Sequence, residues 1–370
     1  TAYEIGVRLV GSEMCIRDRW DNVKKGIQWI FKDDAPLLFN PMPNLFRPYD
    51  TYSKYMWMIN FFITTALGKY KKNSENAFAI SLKSRDLYFK IADEEGIEFD
   101  LMKKGIIHFY NSKREFEIAA SKKDWIEAMG CEWEIVDRDQ IFEIEPALKN
   151  NHKIIGGVYT KSDATGDIHK YCFELAKVLE KKYGVDFKFS ETIKDIKKSN
   201  KPILQTNKNE YEFDDIILCT GVETERFRRK FGDSFRIYPV KGYSVTVDLE
   251  DDKSRESAPF VSLLDDPSKL VASRLGNRLR VAGTAELAGY NKDIRSNRIK
   301  PLLNWINELF PEVNTKNYLP WTGLRPMSSD MVPIIRESKR KNVFYNSGHG
   351  HLGWTMGTYS GKLAADLVDQ

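Results

Sequence analysis

The sequence has no long hydrophobic run. Its longest strongly apolar stretch, residues 56–67, is interrupted by Asn60, Thr64 and Thr65. It falls well short of the about 20 apolar residues that cross a bilayer, so it reads as a buried or interfacial helix. Cysteine is scarce: Cys15, Cys131, Cys172 and Cys219 stand far apart, with no C-x-x-C pair. That excludes a disulfide framework or a zinc knuckle and suits a reducing compartment. Charge of one sign is missing too. Lys+Arg 57 against Asp+Glu 53 leaves +4, too little for a chain whose main partner is a nucleic-acid backbone. The first residues do not show the charged-then-apolar order of a signal peptide. Neither G-x-x-x-x-G-K-[ST] nor G-x-S-x-G occurs. His108 and His152 are solitary, and His349 and His351 lack ligand partners, so no metal site is expected.

What is present is the composition of a folded protein. At 370 residues, 42% of them hydrophobic, the chain is long enough for two or three domains. Residues 1–19 are set apart as a non-native tail, because GSEMCIRD resembles translated adapter sequence. Residues 20–70 read as helices broken at Pro36, Pro41, Pro43 and Pro48, and 71–98 as one helix. Strands are expected at 106–110, 132–136, 185–189, 193–197, 202–206, 214–219, 238–249, 278–285 and 343–346. Helices are expected at 114–129, behind Asp167 up to Gly184, at 295–310 and at 352–368. Mixed elements without a repeat imply α/β and α+β architecture in two interleaved lobes.

Three segments carry chemistry. Gly348-His349-Gly350-His351-Leu352-Gly353 is the chain's one G-x-G-x-x-G. It opens a helix, as an anion site does, but no strand follows it, so it is not a dinucleotide fingerprint; a tight turn accounts for it equally well. Trp321-Thr322-Gly323-Leu324-Arg325-Pro326 fixes an arginine between an apolar residue and a proline. Its planar fork suits a carboxylate, with a structural ion pair as the plainer alternative. Pro239-Val240-Lys241-Gly242-Tyr243-Ser244 opens a long strand in which Gly242 permits close approach of another group. The basic-aromatic run 226–231 reads as a solvated amphipathic helix, with an anionic membrane surface as the lesser alternative.

Taken in order, KGYSVTV (241–247), NRLRVAGTAELAGYN (277–291), WTGLRPMSSDMVPII (321–335) and NSGHGHLGWTMGTYSGKLAADL (346–367) resemble the small subunit of bacterial D-amino acid dehydrogenases. These belong to the flavin amine oxidoreductases of the D-amino acid oxidase type. ATGDIHKY (164–171) and DDIILCTGVET (214–224) match as well, and the similarity runs from about Trp20 to the C-terminus. The resemblance implies FAD, a Rossmann-type lobe (20–98, 153–237 and 326–370) and a mixed-sheet substrate lobe (99–152 and 238–325). It places Gly348, His349, Gly350, Leu352, Gly353, Trp354 and Thr355 against the flavin ring. Gly221 falls near the adenosine side, and the backbone of Ile193 meets the adenine. Arg325 falls on the arginine that grips the substrate carboxylate, Tyr243 on the substrate side, and Arg274 as an assistant.

The implied reaction is oxidative deamination of a small D-amino acid to a 2-oxo acid and ammonia. A hydride passes to the flavin without a catalytic base, and the electrons go on to a quinone or respiratory-chain acceptor. The implied location is cytoplasmic, with peripheral contact at the inner face of the plasma membrane left open. Two rivals remain: a glycine/sarcosine oxidase-like enzyme using oxygen, and a cofactor-free fragment. Two departures from the family pattern matter. The family's first βαβ unit with its glycine loop is not present, so the Rossmann-type lobe is incomplete and the chain as written is expected to hold FAD poorly or not at all, although its parent gene product would hold it. His351 stands where relatives carry a smaller residue, which can shift substrate range.

Overall fold

The computed structural model describes Leu37–Leu38 and residues 48–370 except Lys198. The tail 1–19 and nearly all of the helical reading of 20–47 lie outside the described residues; Leu37–Leu38 (β1) is a strand, not a helix. Two long helices follow, Pro48–Ala66 (α1) and Tyr70–Glu95 (α2), the second closed by Gly96 at φ +62°. Strand Ile106–Tyr110 (β2) is fully buried. The helix expected over 114–129 is two, Lys113–Ala120 (α3) and Lys123–Glu127 (α4). Ser121 Oγ donates back to the Ile118 carbonyl (2.9 Å), a local side-chain bond that competes with helix continuation.

Next come Glu134–Asp137 (β3), Arg138–Ile144 (α5) with an Asp137–Gln140 capping box, and Gly156–Thr160 (β4). Helix Ile168–Tyr183 (α6) starts as its sequence dictates, the Asp167 carboxylate accepting from the His169 and Lys170 amides, and ends at Gly184. The strand expected at 185–189 does not form. The Val185 amide is spent on the Leu179 carbonyl as part of the helix end, and Phe187 and Phe189 stack on each other instead of entering a sheet.

Ile193–Lys197 (β5), Ile203–Thr206 (β6) and Glu210–Glu212 (β7) form a small antiparallel sheet. Ile216–Leu218 (β8) leads to Thr224–Phe231 (α7). The large lobe then unrolls: Ile237–Asp248 (β9), Asp252–Ser257 (α8), Ser262–Asp265 (β10), Leu270–Leu275 (β11), Arg278–Glu286 (β12), Ser296–Leu309 (α9) and Leu319–Ser328 (β13). Ile334–Glu337 (β14), Val343–Ser347 (β15) and Gly353–Val368 (α10) finish the chain.

The architecture is α/β with two parts. A mixed sheet runs β13-β9-β12-β11-β10-β2-β4-β3, with β1 parallel to β12. The smaller part is Rossmann-like: β8 lies parallel to β15, and α10 packs on α2. That helix contact is close because Gly357 has no side chain; a Cβ there would lie 2.6 Å from the Tyr88 hydroxyl.

The large sheet has two unlike faces, which strand alternation and register fix. One presents Tyr243, Val245, Val247, Val281, Ala272, Leu263 and Ile107, and α9 covers it with Ile299, Leu302, Trp305, Ile306 and Leu309. The other presents Ser244, Thr246, Arg280, Ser273 and Ser262, with Trp321 and Arg325 on β13. Hydroxyls on this second face bond one another, Ser262 to Ser273 at 2.7 Å and Thr165 to Ser262 at 2.6 Å. The middle of this face is thus polar, while at the Arg325 end Val240, Tyr238 and Met327 pack against Trp57 of α1.

Candidate active site

Arg325 lies within β13, on the polar face. Its side chain crosses the neighbouring strand, and Nη1 donates to the Thr284 carbonyl on β12 at 3.0 Å. The crossing exists because Gly242 is beneath it. A Cβ on Gly242 would stand 2.5 Å from Nη2 and 2.6 Å from Cζ. The close approach expected at Gly242 is therefore that of Arg325. Thr284 sits where the β12–β9 register shifts, at φ +56°, a backbone region that a β-branched residue avoids. Its buried Oγ1 has no hydrogen-bond partner.

Beneath this point, on the opposite face, lies a buried charged cluster. Glu286 accepts from Lys241 Nζ (3.1 Å), Arg295 Nη1 (3.0 Å) and the Tyr243 hydroxyl (2.6 Å). Burial first, and the Glu286 carboxylate second, push the Tyr243 phenol well above its ordinary range. Tyr243 pairs in register with Thr322 and belongs to the α9-covered core. The structure thus does not bring it to the face that carries Arg325. Nor does it bring Arg274, whose Nη1 donates to the Arg255 carbonyl (2.9 Å) while the guanidinium lies over Phe260. Sequence spacing could not separate these residues from Arg325, because the pairing register decides the face.

The glycine-rich turn meets the same strand. Met327, two residues along the Arg325 face, pairs with His349 in an isolated bridge. Gly348 and Gly350 take φ +79° and +62°, and a Cβ at Gly350 would reach within 2.6 Å of Met327 Sδ. Helix α10 then begins with no side-chain cap at Leu352, directly after a 3-10 turn, Gly350–Leu352, in which the Leu352 amide donates to the His349 carbonyl (3.1 Å). Ser328 Oγ and Asn346 Oδ1, on the two strands flanking the turn, are buried without hydrogen-bond partners. Unsatisfied polar atoms around an uncapped helix start fit a polar, electron-rich ring group there.

The side chains of the turn point elsewhere. His349 Nε2 meets Ser360 Oγ at 2.8 Å, and burial pushes its imidazole down to about 4. Trp354 packs with Tyr88, Phe99 and Tyr171, while Leu352 packs with Ala77 and Met356. Thr355 is buried and His351 exposed. The side chains of His349, Leu352 and Trp354 thus pack into the protein, away from the turn's backbone.

Gly221 joins it across the parallel pair: Ser347 Oγ donates to the Gly221 carbonyl (3.1 Å), and a Cβ on Gly221 would meet no atom within 4 Å. Ile193 is farther along, its carbonyl accepting from Arg226 Nη2 at 3.0 Å. Helix α7 is less solvated than its sequence implies, since Arg228 pairs with Glu225 and Lys230 with Asp195.

Residues 50–367 match the family described as FAD dependent oxidoreductase, DAO. The chain belongs to this family. Among its relatives, a D-amino acid dehydrogenase 3 of Mesorhizobium japonicum is 40% identical over 373 residues, 100% of this chain and 88% of that protein. A D-amino acid dehydrogenase of Neisseria meningitidis serogroup C is 34% identical, covering 93% of this chain and 81% of that one. Among solved structures, Bacillus cereus glycine oxidase superposes with a TM-score of 0.70 at 22% identity, covering 79% of this chain and 80% of that one. The L-proline dehydrogenase of P. horikoshii gives 0.71 at 17%, covering 80% and 79%. At those identities the structures speak to the fold alone. The chain is thus an FAD-dependent oxidoreductase of this family, and among the described residues no helix is long and apolar enough to cross a membrane.

Proposed function

We propose that this chain carries out the oxidative deamination of small D-amino acids, passing the electrons to a quinone-type acceptor, as the small subunit of a D-amino acid dehydrogenase. The observation that carries the site is the placement of Arg325. A guanidinium is tethered to Thr284 over Gly242, on the polar sheet face, and its strand runs on to the uncapped start of α10. The choice of D-amino acid is supported by the names of the relatives that align along nearly all of the chain.

The uncapped tip 348–355 and Gly221 would hold FAD. When bound, FAD supplies the two-electron oxidant that takes the α-hydrogen as hydride. Arg325 binds and orients the substrate carboxylate in this reading, and its tether limits how far the bound amino acid can wander. The helix dipole of α10 would favour negative charge at its N-terminal tip. His349, held neutral by burial, adds no competing cation there. No side chain is asked to remove a proton, and water converts the released imino acid to 2-oxo acid and ammonia.

The test is turnover of D-alanine, L-alanine and glycine with a quinone analogue and with oxygen. Preference for D-alanine with the quinone analogue is expected. Glycine turnover with hydrogen peroxide release overturns it in favour of a glycine/sarcosine oxidase-like enzyme, a reading that draws on the fold shared with glycine oxidases. A chain that purifies yellow, or turns yellow in excess FAD, supports the reading; one that stays colourless in excess FAD favours the cofactor-free alternative.

A further inference from the structure

Gly242 and Gly323 are register partners on β9 and β13, and neither is bare. The Arg325 guanidinium lies over Gly242, and the Trp321 indole lies over Gly323. A Cβ at Gly323 would collide with the ring tip Cη2 and come within 2.9 Å of Cζ3. Opposed residues of an antiparallel pair have side-chain origins about 5 Å apart. The ring tip and the guanidinium therefore occupy adjacent places on one face.

The ring is also braced. Arg280 Cζ lies 5.3 Å from its centroid, and Arg280 is itself buried and bonded to Ser244 Oγ (2.9 Å) and Thr246 Oγ1 (3.3 Å). Trp321 is only half-buried, so the remainder of the indole is open to an occupant.

Resting on the reading of Arg325 as the carboxylate grip, we propose that Trp321 is the specificity-determining residue that limits the size of the substrate side chain. The side chain of an amino acid leaves the atom next to the carboxylate carbon. A carboxylate fixed over Gly242 thus directs a substituent toward the braced indole edge over Gly323. A methyl group rests on that edge; a benzyl group meets a wall that cannot swing aside.

The test titrates unreactive carboxylates, acetate and 3-phenylpropanoate, into the protein in excess FAD by calorimetry. In Trp321→Ala the affinity ratio of 3-phenylpropanoate to acetate rises about tenfold or more, acetate alone staying within about twofold. In Trp321→Phe the ratio stays near the wild-type value. Trp321→Leu gives the same comparison, with an intermediate rise, if the alanine variant does not fold. An unmoved ratio, or equal loss of both ligands, overturns the proposal and makes Trp321 structural. Acetate affinity unchanged in Arg325→Lys instead overturns the carboxylate grip, so the two failures are separable.

Discussion

Adding one methyl group at Gly242 moves the carboxylate grip without touching its chemistry. Gly242 has no positive φ, so alanine is conformationally allowed there, and in a strand it is otherwise favourable by about 0.5–1 kcal/mol. The cost is steric. The new Cβ would stand 2.5 Å from Arg325 Nη2 and 2.6 Å from Cζ, whereas carbon contacts are comfortable at about 3.5–4 Å. The guanidinium must retreat by about 1 Å, and a misplacement of that size costs about 100-fold in rate, or about 2.7 kcal/mol. It also gives up the 3.0 Å bond to the Thr284 carbonyl, a charged hydrogen bond of about 1.5–3 kcal/mol. Gly242→Ala should thus lower kcat/KM for D-alanine about 100-fold, with a smaller loss in urea midpoint. The same substitution in an Arg325→Ala background should cost almost nothing more, because the colliding group is gone. A loss below about threefold, or an equal loss in both backgrounds, refutes the reasoning.

Other substitutions probe the surroundings. Glu286→Gln removes the carboxylate that compensates buried Lys241 and also pairs with exposed Arg295, so unfolding free energy should fall by about 3–5 kcal/mol; Lys241→Met should cost less, and equal costs contradict the burial argument. Thr284→Gly relieves the left-handed backbone and should raise stability by about 1 kcal/mol in urea titration while weakening acetate binding; a stability loss contradicts the strain. His349 stays neutral in the fold down to about pH 4, whereas an unfolded histidine protonates near 6.5. The unfolded chain binds the extra proton between those values. Stability is complete above about pH 6.5 and falls by up to about 3 kcal/mol as the pH drops toward 4. His349→Gln should flatten that slope in urea midpoints taken from pH 7 to 4.

Much of this was legible in the sequence, for identifiable reasons. Asp167 and Gly184 bracket α6 because caps are local chemistry, and 238–249 reads as a strand because its alternation matches two unlike sheet faces, one apolar under α9 and one carrying Ser244 and Thr246. Gly242 announced a close approach that Arg325 supplies from a strand 80 residues away, a partner that only pairing reveals. What local patterns could not show is which face a side chain takes. Tyr243 and Arg325 lie in adjacent motifs yet point to opposite faces, because Tyr243 pairs with Thr322 and Arg325 with Val240. Thr284 and Trp321 lie within quoted motifs, but no sequence pattern assigns either a role of its own. The first matters through its carbonyl at a bulge and the second through a glycine opposite another glycine. Strands β4, β7, β10, β11, β13 and β14 were missed, most of them because the run is short, and 185–189 failed as a strand for want of a neighbour.

The most direct measurement is the flavin absorbance of the protein in excess FAD as acetate is titrated, in wild type and in Arg325→Ala. If guanidinium and helix tip share one cavity, acetate perturbs the wild-type flavin band and saturates, and the Arg325→Ala band stays still over the same range. An identical saturating shift in both proteins means that the carboxylate sits by the flavin without Arg325, which contradicts the shared site.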